Sequence, residues 1–197
     1  MINAETRAQI INLINKEVVP AVGCTEPMAV ALCAAKAAEV LGCRPQKVRA
    51  QLSANILKNA MGVGIPGTGM IGLPIAIALG TLIGKSEYQL EVIKDLTPET
   101  LEEGKAFIKE QRITILRKSN IEEKLYIEIE SSTETSKATV IIACAHTNIV
   151  YVEKDGNVLL DNRTTRSEAC EQQDISLDLQ MVYDFATTAP VGEIDFI

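Results

Sequence analysis

Apolar residues recur at helical spacing near the start of the chain, at Ile10, Ile11, Ile14 and Val18, and Pro20 ends that helix. A denser apolar run predicts a second helix over 26–41, with Thr25 as its N-cap, Pro27 in its first turn and Gly42 as its stop. Val48, Ala50 and Leu52 alternate as a short strand does; a helical stretch over 55–61, a glycine-rich loop over 62–69 and an apolar helix to Leu82 follow. The period then changes. Residues 90–94 look strand-like, and Thr97 caps a helix that has Pro98 at its first position. Glu99, Glu102 and Glu103 precede Lys105 and Lys109, the order the helix dipole favours. Strands are expected at 112–117, 124–131, 138–144 and 148–153. Leu125, Ile127 and Ile129 alternate with Tyr126, Glu128 and Glu130, the mark of a sheet with one wet face. Lys154-Asp155-Gly156-Asn157 is a hairpin turn into 158–160. A last helix over 176–187, before Pro190, carries Leu177, Met181, Val182 and Phe185 on one face. The fold class expected is α+β: an Ala- and Gly-rich helical unit, then a mostly antiparallel sheet with one packed helix, then a C-terminal helix.

Composition divides the chain in the same places. Residues 1–87 hold nine of the 12 glycines, no aromatic residue and a net charge of +3, whereas 88–162 and 163–197 carry −5 each. Three segments with those bounds follow: a helical unit, an α+β sheet unit and a C-terminal helix that either docks back onto the first unit or begins a further region, which the resemblance described below implies is a helical half. Hydrophobic residues at 47% and charged residues at 23% are the mix of a foldable globular chain of 197 residues. The total charge of −7 weighs against a nucleic-acid partner. The apolar stretch Met70–Ile83 is interrupted by Pro74 and is too short to span a bilayer, and no basic, signal-like start opens the chain. A cytoplasmic protein with no membrane partner is the expectation. Five cysteines without a C-x-x-C pair fit reduced thiols better than a disulfide framework or a zinc ribbon.

Three stretches carry candidate chemistry. In Gly23-Cys24-Thr25-Glu26-Pro27 the thiol stands just before a helix, where free N–H groups and the dipole favour an anion. Its pKa is expected to fall below the free value of about 8.5, and the same N–H groups could hold a carboxylate. A buried structural cysteine beside an ordinary cap is the plainer alternative. Asn55, Lys58 and Asn59 share one helical face, a cation between two carboxamides suited to a carboxylate or an amino group. Gly62-Val63-Gly64-Ile65-Pro66-Gly67 has the spacing of a dinucleotide loop. A helix precedes it and Pro66 interrupts it, so an anion-cradling turn with Gly64 and the Thr68 hydroxyl fits better. His146, the one histidine, lies between two strands, and a hydrogen-bonded turn role is the plainer one. Cys33 and Cys43 lie on and after an apolar helix and suit packing, and Cys144 and Cys170 lack ligand spacing.

The segment 23–27, together with Asn55 through Thr68, resembles the L-cysteine desulfidase family, which is related to the α chain of iron–sulfur L-serine dehydratases and has many members of unassigned function. Both motifs occur in the family's order, and the α+β layer and His146-Thr147-Asn148 also fit. The resemblance implies a lyase that converts L-cysteine to pyruvate, ammonia and sulfide through a [4Fe–4S] cluster. Cys24 would remove the α-proton, while Thr25, Glu26, Asn55, Lys58, Asn59, Gly64 and Thr68 grip the amino acid. Family members run to about twice this length, with their cluster cysteines in the C-terminal half. The chain itself is therefore expected to bind no cluster and to need a cluster-bearing C-terminal half as partner. L-Serine is the alternative substrate, and self-association into a homo-oligomer is expected from exposed apolar surface. The competing readings are a non-catalytic amino-acid-binding or oligomerising module, and a thiol-based redox protein built on Cys24.

Overall fold

The structure, a computed structural model, describes residues 2–163 and 175–196. It divides into two compact units, 1–20 with 170–197, and 21–169. The expected α+β class is observed, and the larger unit holds the sheet and both motifs.

Six strands form one sheet: β1 (Lys47–Leu52), β4 (Ile113–Arg117), β5 (Tyr126–Ser132), β6 (Lys137–Ala143), β7 (Ile149–Lys154) and β8 (Asn157–Asp161), in the order β4-β1-β5-β6-β7-β8. Among the described residues only the β1–β4 pair is parallel, with Ala50 opposite Ile115; Ala50 is also opposite Ile129 in antiparallel β5. The alternation foreseen in β5 holds for the core face, where Ile127 and Ile129 are fully buried. The opposite face is drier than the pattern implies, because Tyr126, Ile141 and Tyr151 are buried there in a smaller cluster.

Helix α2 (Thr25–Leu41) lies across β5 and β6. Every residue from Met28 to Ala35 is fully buried, as a helix apolar all round must be. Helix α4 (Leu73–Ile83) packs on α2, and α5 (Pro98–Lys109) packs on α4. The α2–α4 approach depends on small residues: a Cβ on Gly80 would fall inside the backbone of Ala31. That close fit explains a core built with little aromatic filling. α5 starts as expected, with Thr97 and Thr100 forming a reciprocal cap ahead of Pro98. Two expectations need correction. Residues 90–94 are not a strand: a 3₁₀ turn covers Ser86–Glu91, and Gln89 has φ 51°, which no strand accommodates. The N-cap of α2 is Cys24 rather than Thr25, because Thr25 already has helical geometry.

In the smaller unit, α1 (Ala4–Glu17) is capped by Asn3, and α6 (Leu179–Thr188) by Asp178, which accepts from the Met181 N–H at 2.7 Å. Arg7 reaches Glu193 at 3.0 Å. Leu179, Tyr183 and Val191 are exposed. Among the described residues, no helix is long and apolar enough to cross a membrane. Cys170 lies outside the described residues.

Candidate functional site

The glycine-rich loop and helix α3 (Ala54–Ala60) meet at the start of α2. Gly23 has φ +83°, a conformation that favours glycine, and its Cα faces Pro66, whose Cγ would lie 2.8 Å from any added Cβ. The glycine-rich loop is thereby seated directly on the residue before Cys24. From the side of α3, Asn59 donates its Nδ2 to Glu26 Oε1 at 3.2 Å. The β6–β7 connection contributes a smaller electrostatic influence of His146 on Glu26. The structure thus brings residues of the two motifs, 33 positions apart at Glu26 and Asn59, into direct contact.

Helix α3 stands where it does because Ser53, its N-cap, is anchored at both ends. The Ser53 Oγ accepts from the Ile56 N–H at 3.3 Å and donates to the Lys124 carbonyl at 2.7 Å. Ser53 follows the last residue of β1, so the sheet sets the position of the Asn59 side chain. Asn55 and Lys58 are exposed on the same helix, and Lys58 makes no ion pair among the described residues. A cation is left open to solvent one position before the carboxamide that holds Glu26.

Cys24 is half-buried, and its Sγ donates to Glu26 Oε2 at 3.0 Å. The Thr25 hydroxyl donates to the same oxygen at 3.3 Å. The expected depression of the thiol pKa does not occur; burial, followed by the hydrogen bond to the Glu26 carboxylate, raises it. The N–H groups of Thr25 and Glu26 do pull the other way, as the helix start predicts, but they are outweighed. Glu26 moves in the complementary sense. The Cys24 hydrogen bond holds its carboxyl below the usual range against the opposing effect of burial, with help from Asn59 and His146. The resting pair is a thiol donating to a carboxylate.

The glycine-rich loop is a short hairpin of β2 (Gly64–Ile65) and β3 (Met70–Ile71). Gly64 is exposed at its edge. The Thr68 hydroxyl is committed to the loop itself: it donates to the Ile65 carbonyl at 2.6 Å and accepts from the Met70 N–H at 2.9 Å, and the residue is buried. Its geometry is that of a turn brace. Beside the loop, a cleft of about 490 Å³ is lined by Val22, Pro66, Gly67, Ile93, Lys94 and Leu96 among others. Cys24 is not among its lining residues, so the cleft flanks the thiol rather than enclosing it.

The cluster implied by the resemblance does not fit the residues described. Among them, no group of three or more His, Cys, Asp or Glu side chains is placed to hold a metal ion. Cys33 is fully buried with its Sγ 3.3 Å from the Val140 carbonyl, and Cys43 is exposed beyond the other end of α2.

The chain is homologous along its length to UPF0597 proteins. It is 64% identical over 197 residues to one from Phocaeicola vulgatus and 61% identical over 197 residues to one from Bacteroides thetaiotaomicron, covering all of this chain and 46% of each relative. A UPF0597 protein of Aeromonas hydrophila is 41% identical over 190 residues, covering 95% of this chain and 43% of that protein. The chain therefore spans somewhat under half the length of the curated relatives it matches. No protein-family model matches it, and no solved structure does.

Proposed function

We propose that the chain is the substrate-gripping part of an amino-acid lyase of the cysteine-desulfidase type, acting on L-cysteine or on L-serine. The observation that carries this reading is the union of the two motifs: Asn59 holds Glu26, and the loop proline lies against Gly23. Two separate sequence signatures that meet on one half-exposed surface suit a small zwitterion. Glu26 offers an anion to the ammonium group, and Lys58 with Asn55 offers a cation and an amide to the carboxylate. Cys24 is the group that would take the α-proton, as the resemblance implies. The resembled family's iron–sulfur cluster would be held by polypeptide outside this chain, such as the additional length its relatives possess.

The test pairs this chain with the remaining portion of a UPF0597 relative under anaerobic conditions with iron and sulfide. Sulfide release from L-cysteine, or pyruvate from L-serine, is the expected result. No product in that reconstitution, with both parts folded, overturns the lyase reading. The amino-acid-binding module would instead give thermal stabilisation by L-serine without turnover.

A further inference from the structure

We infer that Glu26 is the positioning residue of Cys24: its carboxylate fixes the sulfur as a protonated donor, and Asn59 fixes the carboxylate from α3. The inference rests on the reading of Cys24 as the proton-handling group and adds to it the device that controls that proton. Three contacts carry it. The Sγ–Oε2 hydrogen bond is 3.0 Å long, the Asn59 Nδ2–Oε1 bond is 3.2 Å, and the Thr25 hydroxyl closes on Oε2 at 3.3 Å. Each carboxylate oxygen of Glu26 is thus engaged, one by the thiol and one by the neighbouring helix.

The groups around the sulfur have opposed effects. On α2, the Glu26 charge favours the thiol, whereas the Thr25 and Glu26 N–H groups favour the thiolate. From α3, Asn59 brings no charge, so it restrains Glu26 without neutralising it. From the β6–β7 connection, His146 acts on Glu26. Burial favours the thiol most, and the carboxylate adds to it as the influence a bound ligand can change. When a cation such as an amino acid's ammonium group engages Oε2, the sulfur loses its acceptor. Its proton then passes from Sγ to solvent, and the helix N–H groups stabilise the anion left behind. Cys24 would become a base only when an amine is bound.

The experiment measures alkylation of Cys24 by iodoacetamide against pH in the full chain without amino acid, mapped by peptide mass spectrometry. Glu26→Gln removes the charge, and its profile is expected about one pH unit below the wild type, with alkylation ~10-fold faster at pH 7.5. Glu26→Asp, which keeps the charge, is expected to restore most of the wild-type profile, and Asn59→Ala to move it partway toward that of the Gln variant. A Glu26→Gln profile coincident with wild type overturns the inference. Protection of the buried Cys33 in the same digest reports that each variant is folded. If Glu26→Gln loses that protection, Asn59→Ala decides: an unmoved profile there overturns the inference equally. Because no substrate and no turnover enter, a shifted profile alongside a failed sulfide assay keeps the positioning role and discards the lyase.

Discussion

Asn59 and Glu26, 33 positions apart, are joined by a 3.2 Å hydrogen bond between a carboxamide on α3 and a carboxylate in the first turn of α2. This contact makes one site of two sequence motifs. If the chain grips L-serine as proposed, millimolar L-serine raises its melting temperature, and Asn59→Ala is expected to abolish most of that shift. Lys58→Ala is expected to weaken that shift as well, while leaving the melting temperature of the ligand-free protein unchanged, because Lys58 is exposed and has no ion-pair partner among the described residues. Thermal melts with and without L-serine check both.

Gly23→Ala is expected to destabilise the chain by about 1–3 kcal/mol, from left-handed strain and the approach to Pro66 together. Urea unfolding measures it. The steric part depends on a partner ring, so Pro66→Ala in the same chain should recover a portion of the loss. Additive losses in the double mutant would show that Pro66 is not what Gly23 accommodates.

Glu128 gives the fold a pH dependence. Burial pushes its carboxyl upward, but hydrogen bonds from Lys118, at 2.7 Å, from the Tyr126 hydroxyl and from Gln51, at 2.6 Å, outweigh that effect and leave it below the usual carboxylate range. A carboxyl lowered in the folded state contributes stability above its unfolded value of about 4.3, and that contribution is lost as pH falls through the lower folded value. Glu128→Gln should therefore lower stability at neutral pH and flatten its decline between about pH 5 and pH 3. Urea midpoints across that range provide the check.

Native alkylation should label Cys43 well before Cys33. Burial pushes the Cys33 thiol far up, and its sulfur is enclosed by the backbone of β5 and β6, whereas Cys43 is exposed. Labelling of Cys33 is expected to follow global unfolding. Labelling at the rate of Cys43 in the absence of denaturant would contradict the described core.

Much of the fold was legible because its signals are local. The Thr97–Pro98 start of α5, the alternation in β5 and the Lys154–Asn157 turn each need only their own neighbours, and all three are observed. What was not legible depends on partners. Residues 90–94 carry strand-like side chains, but the positive φ at Gln89 and the burial of Leu90 are tertiary facts. The site shows the same division. Position before a helix correctly identifies N–H groups acting on Cys24, yet the sign of its pKa shift is set by burial and by how Glu26 folds back, and neither is written in the spacing. The spacing around Thr68 reads as an anion-cradling loop, but the Thr68 hydroxyl is occupied by Ile65 and Met70. His146 reads as a turn residue because its link to Glu26 spans the whole sheet unit.

The placement of β1 between β4 and β5 sets an order of assembly. Its hydrogen-bonding partners on both sides are synthesised 65 to 85 residues after it, so the strand must wait, unpaired, while they emerge from the ribosome. Because α3 follows β1 directly and Ser53 is latched to Lys124, Asn59 cannot reach its final place until that later stretch has arrived. The candidate site therefore matures only after the stretch around Lys124 has been made.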